Sequence, residues 1–227
     1  MSGQKPDTVL QKAPDDTKDT SSKIITSEPV AQVTTIELLR HGALVGDDTF
    51  RGVTDDVLSN GGWEQMVTAL EGKNEWDIIV SSPLSSCLEF TEVIAQEEEI
   101  DLEINEQLKE INFGDWEGHT LEELMKEDAN LLNAWWQSPT QITPPGGEDF
   151  YDFKARVLKA FKRLLKEYRG KRLLIVTHSG VIRIILMSVL GMQDSNLFRL
   201  NVDYASYSKI IIDNDDFSGL GTLIEHH

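Results

Sequence analysis

Thr34-Thr35-Ile36-Glu37-Leu38-Leu39 is a β-branched and leucine-rich run, and it predicts a short strand that stops at Arg40-His41-Gly42. Asp77-Ile78-Ile79-Val80-Ser81 predicts a second strand, and Leu173-Leu174-Ile175-Val176 a third of the fully buried type. The stretch from Asn201 to Ile212 alternates enough to predict one more. Helical periodicity fills the intervals. Trp63, Met66, Val67 and Leu70 share one face, and Phe150, Phe153, Val157, Ala160, Phe161, Leu164 and Leu165 mark the buried stripe of a long helix. Pro83 lies near the start of another helix, with a serine available as its cap and Leu88, Thr91, Val93 and Ile94 as its buried face. Leu121, Leu124, Leu131, Leu132 and Trp135 suggest a helical cap, and Val181-Ile182-Arg183-Ile184-Ile185-Leu186 reads as helical and largely buried. Strands alternating with helices indicate a single layered α/β domain.

Residues 1–32 break the pattern. They mix Asp, Lys, Ser, Thr and Pro without either periodicity, which predicts a flexible extension ahead of a domain over 33–227. The 227-residue chain is 40% hydrophobic and 26% charged, as soluble globular proteins are. No apolar run approaches the ~20 residues of a membrane span. No secretory signal is evident, and the lone Cys87 rules out an internal disulfide, so a cytoplasmic protein is expected. A net charge of −18 argues against nucleic-acid and anionic-membrane partners. An anionic substrate would need a local cationic pocket.

Such a pocket has candidates. Arg40 and His41 put a permanent cation and a titratable nucleophile at the end of a strand, where α/β folds hold their ligands, and Gly42 allows a sharp turn there. Thr177-His178-Ser179-Gly180 closes the third strand in the same manner, so two imidazoles are expected at one sheet edge. Arg51, on the loop after the first strand, offers a further cation over the proposed site. The chain lacks His-Glu-x-x-His and paired cysteines, which disfavours a zinc hydrolase, and it lacks the Gly-x-Ser-x-Gly elbow of serine hydrolases.

Leu39-Arg40-His41-Gly42, Arg51-Gly52-Val53-Thr54-Asp55-Asp56-Val57-Leu58-Ser59-Asn60-Gly61-Gly62-Trp63-Glu64-Gln65 and Thr177-His178-Ser179-Gly180 together resemble the histidine phosphatase, or phosphoglycerate mutase-like, superfamily. The resemblance runs from about Thr34 to the end of the chain. It implies a three-layer α/β/α sandwich with a mostly parallel central sheet. It also implies hydrolysis of a small phosphorylated metabolite through a phosphohistidine on His41, without metal or cofactor. His178 would be catalytic beside His41, binding the phosphoryl oxygens where negative charge gathers, and Arg40, Arg51, Ser179 and the position of Ser86 would bind the substrate. Glu110, in Leu108-Lys109-Glu110-Ile111-Asn112-Phe113-Gly114, maps onto the family's general acid, with Glu106 and Glu117 as local competitors. Ser86 is a departure. The family usually carries an arginine at this position, and there is no arginine at all between Arg51 and Arg156. That gap implies slow turnover, a protein that only binds a phosphorylated ligand, or a ligand that brings its own cation. The short span between Glu110 and His178 favours a phosphatase over a phosphoglycerate mutase. The motif set and Pro144-Pro145-Gly146-Gly147-Glu148 look most like the α-ribazole-5′-phosphate phosphatase branch of cobalamin biosynthesis.

Overall fold

The computed structural model describes residues 33–46, 49–213 and 221–227, so the expected extension over 1–32 lies outside the described residues. Six strands form one sheet in the order β3-β2-β4-β1-β5-β6. They are β1 (Val33–Arg40), β2 (Ile78–Ser81), β3 (Leu102–Ile104), β4 (Arg172–Thr177), β5 (Tyr207–Asp213) and β6 (Thr222–His226). The first four lie parallel, and β5 runs antiparallel to both β1 and β6. The sheet is thus mixed and mostly parallel, as the sequence leads one to expect.

Among the described residues four helices flank it, α1 (Asn60–Ala69), α2 (Ser85–Glu97), α4 (Phe150–Glu167) and α5 (Ser179–Val189), and a fifth, α3 (Leu121–Gln137), stands apart. The alternation of side chains along each strand decides which helix meets which face. Ile36 and Leu38 of β1, with Leu173 and Ile175 of β4, share a core with Phe153 and Val157 of α4 and Ile182 and Ile185 of α5. Leu39, Ile79, Leu174 and Val176 point the other way, into a core with Met66 of α1 and Phe90 of α2. Glu37 belongs to that second face too, and it is fully buried. Its carboxylate is matched by Trp76 Nε1 at 2.6 Å, Arg172 Nη2 at 2.9 Å and Lys209 Nζ at 3.6 Å, as a buried charge requires.

Outside the sandwich, α3 supplies the expected cap. A capping box between Thr120 and Glu123 starts it, and Asp128 breaks the helical dihedrals midway. Leu124, Leu132 and Trp135 are its buried face, packed with Trp116. None of the helices among the described residues is long and apolar enough to cross a membrane.

Three local expectations are corrected. The strand expected over 201–212 begins only at Tyr207, because Ala205 takes a left-handed φ of 54° and turns the chain just before it. Helix α2 buries Ser86, Cys87, Phe90, Thr91 and Ala95, whereas Val93 is exposed; no serine caps it, and Asp55 Oδ1 instead accepts from Ser85 N at 2.7 Å. Gly42 is required for space against another stretch of backbone rather than only for the sharp turn expected there. A Cβ there would lie 2.0 Å from Gly62 O, so the two backbones touch where any side chain would part them.

Candidate active site

Parallel pairing brings the two histidines together. Arg40 of β1 is in register with Thr177 of β4, so the residues that follow, His41 and His178, emerge side by side at the carboxyl edge of the sheet. His41 N donates to Thr177 O at 3.0 Å, which fixes this end of the pairing. The imidazoles meet edge to face with centroids 5.1 Å apart. Both are buried, at 6% and 3% exposure.

His41 Nδ1 lies 2.9 Å from Gly42 O. A carbonyl oxygen only accepts, so Nδ1 carries the proton and Nε2 keeps its lone pair. Burial pushes the His41 pKa down to about 3, with the neighbouring His178 and Arg40 adding to the effect. Burial likewise takes His178 to about 3, helped by Arg40 and Arg156. Both rings are therefore neutral at ordinary pH. His178 Nε2 sits 2.7 Å from Ser82 Oγ and 3.8 Å from Cys87 Sγ, behind His41.

A pocket of about 180 Å³ opens in front of His41. Arg40, Arg51, Arg183 and Ser179 give it polar walls, and Phe113, Trp135, Phe198 and Tyr204 give it aromatic ones. Arg40 donates to Val202 O at 2.9 Å and stacks on Tyr204, its guanidinium carbon 4.1 Å from the ring centroid. A larger, open depression of about 750 Å³ lies beyond Tyr204, between Glu64, Thr68 and His226, and it contains none of the candidate residues.

Glu110 reaches the pocket from the loop after β3. Its Oε2 accepts from Gly180 N at 2.8 Å and Ser179 Oγ at 3.3 Å, at the start of α5, and its Oε1 from Ile111 N at 2.9 Å. Arg156 holds the loop itself. It donates to Gln107 O, Lys109 O and Glu110 O at 2.7 to 2.9 Å and forks onto Glu148. The competing carboxylates are occupied elsewhere. Glu117 accepts from Val53 N, Thr54 N and Phe113 N at 2.8 to 3.0 Å and from the Thr54 hydroxyl, tying two loops together. Glu106 pairs with Lys109 at 2.8 Å.

The structure thus brings His41, His178, Arg40, Glu110 and Ser179 together. Arg51 lines the pocket, but its guanidinium is engaged by Val45 O at 3.1 Å and Asp56 Oδ2 at 3.1 Å, so it stiffens the rim. Ser86 is buried and faces Cys87 Sγ at 3.9 Å; it does not line the pocket. Sequence reasoning passes over Tyr204 and Arg183. The signal available for Arg183 is a single cation inside an otherwise apolar helix. Among the described residues no three of His, Cys, Asp and Glu converge as a metal ion would need.

The model of the histidine phosphatase superfamily (branch 1) matches residues 36–221. A bifunctional protein of Mycobacterium tuberculosis is 34% identical over 180 residues, which is 77% of this chain and 49% of that protein. The chain therefore spans about half the length of that curated relative. The adenosylcobalamin/alpha-ribazole phosphatase of Escherichia coli is 29% identical over 191 residues, 82% of this chain and 93% of the relative. The crystal structure of the alpha-ribazole phosphatase from Shigella flexneri matches with a TM-score of 0.73 and 28% identity, over 83% of this chain and 94% of that one.

Proposed function

Because the chain belongs to the histidine phosphatase superfamily (branch 1), we propose that it hydrolyses phosphomonoesters through a phosphohistidine on His41. The observation that carries this reading is the fixed tautomer of His41: Nδ1 is spent on Gly42 O, and a neutral Nε2 faces a pocket lined by arginine. Nε2 attacks phosphorus, and the bond from phosphorus to the ester oxygen breaks. Glu110 in its acid form gives the departing alkoxide its proton. As a carboxylate it then takes a proton from water, whose oxygen attacks the phosphohistidine and releases phosphate and neutral His41. Arg40 and the start of α5 stabilise the negative charge that gathers on the phosphoryl oxygens.

Rapid quench with a labelled phosphomonoester tests this. Acid-labile label should sit on His41 and vanish in His41→Ala. Label on another residue, or full turnover by His41→Ala, would overturn it.

For the substrate we favour α-ribazole 5′-phosphate, on the likeness to the two alpha-ribazole phosphatases and on the aromatic wall of the pocket. A panel of phosphomonoesters should give this compound the highest kcat/KM. A protein that binds phosphorylated ligands with little turnover is the competing reading. It draws on Ser86, which leaves α2 without a cation for the phosphate, and no burst of label on His41 would favour it.

A further inference from the structure

Arg183 stands one turn into α5 from Ser179, so both side chains look out of the same helix face into the pocket that holds His41 and Arg40. Its Nε donates to Leu200 O at 3.1 Å, and its guanidinium carbon lies 5.8 Å from the centroid of Phe198. Among the described residues no carboxylate forms an ion pair with it. The contrast with other arginines is sharp: Arg51 faces Asp56, Arg156 faces Glu148, and Arg172 faces Glu37 and Glu75. Burial holds the Arg183 pKa below its usual value, and Arg40 adds to this while Glu110 and Asp203 oppose it. A guanidinium does not give up its proton, so the cost of withdrawing it from water persists until an anion arrives. Arg40 and Arg183 line the same pocket and repel one another. Two guanidiniums on one pocket suit an occupant that carries more than one negative charge, and a phosphate offers the oxygen edges their forks require.

We propose that Arg183 is a second guanidinium for the transferring phosphoryl group, closing on its oxygens alongside Arg40 and supplying charge that Ser86 does not. This rests on the phosphomonoesterase reading above and adds to it a residue from α5. It also removes the reason to expect a ligand that brings its own cation.

Inorganic phosphate is the probe, because it has no leaving group and reports on the phosphoryl site alone. Titration calorimetry should find binding to Arg183→Met weaker than to the unaltered protein by about tenfold or more, with kcat/KM on p-nitrophenyl phosphate lower by roughly 10²–10³. The melting temperature of Arg183→Met should stay level or rise, since a half-buried cation without a contact counter-ion has been removed. Arg183→Lys should fall between the two. If Arg183→Met does not fold, Arg183→Gln takes its place with the same expectations. Phosphate bound by the variant within about twofold of the unaltered protein would overturn the assignment and leave the phosphatase reading intact. If the unaltered protein neither binds phosphate nor hydrolyses the ester, the phosphatase reading itself falls, and this assignment with it.

Discussion

Gly180 donates its amide to Glu110 Oε2 at 2.8 Å, and a methyl group on Gly180 would lie 2.3 Å from Glu110 Oε1. The first residues of α5 therefore form a seat for this carboxylate, shaped by the absence of a side chain. Gly180→Ala should cost about 1–2 kcal/mol of stability, because the added methyl would also lie 3.2 Å from the buried Phe153 ring and push the Glu110 carboxylate off its donors. The displaced carboxyl no longer meets the ester oxygen, so turnover of alkyl phosphates should fall by about tenfold or more. Melting curves and steady-state kinetics on glycerol phosphate would check both halves of the expectation.

Glu110→Gln removes the proton while keeping the shape. Aryl phosphates leave as stabilised phenolates and need little protonation, so they should lose far less rate than alkyl phosphates, whose loss should be of order 10²–10⁴. The ratio of kcat for p-nitrophenyl phosphate to that for glycerol phosphate is the measurement. An equal loss on both would assign Glu110 to support of the loop.

Acid should destabilise the fold earlier than its carboxylates alone would dictate. His41 and His178 titrate near 3 in the folded protein, against 6.5 for an unhindered imidazole. Between those values the unfolded chain binds more protons, so stability is complete above the higher value and drains away as pH falls toward the lower. Each histidine should remove about 2 kcal/mol between roughly pH 7 and pH 5. Urea denaturation across that interval should show the slope, and His41→Asn should reduce it by about half.

Arg156 makes five hydrogen bonds to the acid loop and Glu148, and lysine cannot copy its fork. Arg156→Lys should cost on the order of 2–3 kcal/mol in urea denaturation. It should also lower kcat for alkyl phosphates more than for aryl ones, because the loop it releases carries Glu110.

The two strand-end histidines are legible in the chain because an apolar run of fixed length must stop at the edge of the sheet, and parallel pairing then sets their neighbours side by side. Glu110 is legible only through its surrounding motif; nothing in its own residue type separates it from Glu106 or Glu117, and hydrogen bonding does so in space. Arg183 is hidden for a different reason. Its direction depends on the rotation of α5 against the sheet, which tertiary packing sets. Tyr204 is hidden by an extended-looking stretch that Ala205 breaks with a backbone conformation rare for its type. Helix α2 misleads because Leu88 and Val93 look like a buried stripe, whereas the helix turns Cys87 and Phe90 inward.

The contact between Gly42 and Gly62 has an evolutionary reading. It clamps the base of the excursion between them, and Ser59 reinforces the clamp by bonding Ala43 O through both its amide and its hydroxyl at 2.9 Å. Further out, Val45 N meets Val57 O at 3.1 Å. A loop closed so firmly at its root transmits little of its own variation to His41. Doubling its length would cost only about 0.6 kcal/mol in closure entropy. Lineages could therefore exchange or extend the tip, and with it the wall around Arg51, to suit new esters while the nucleophile stayed in place.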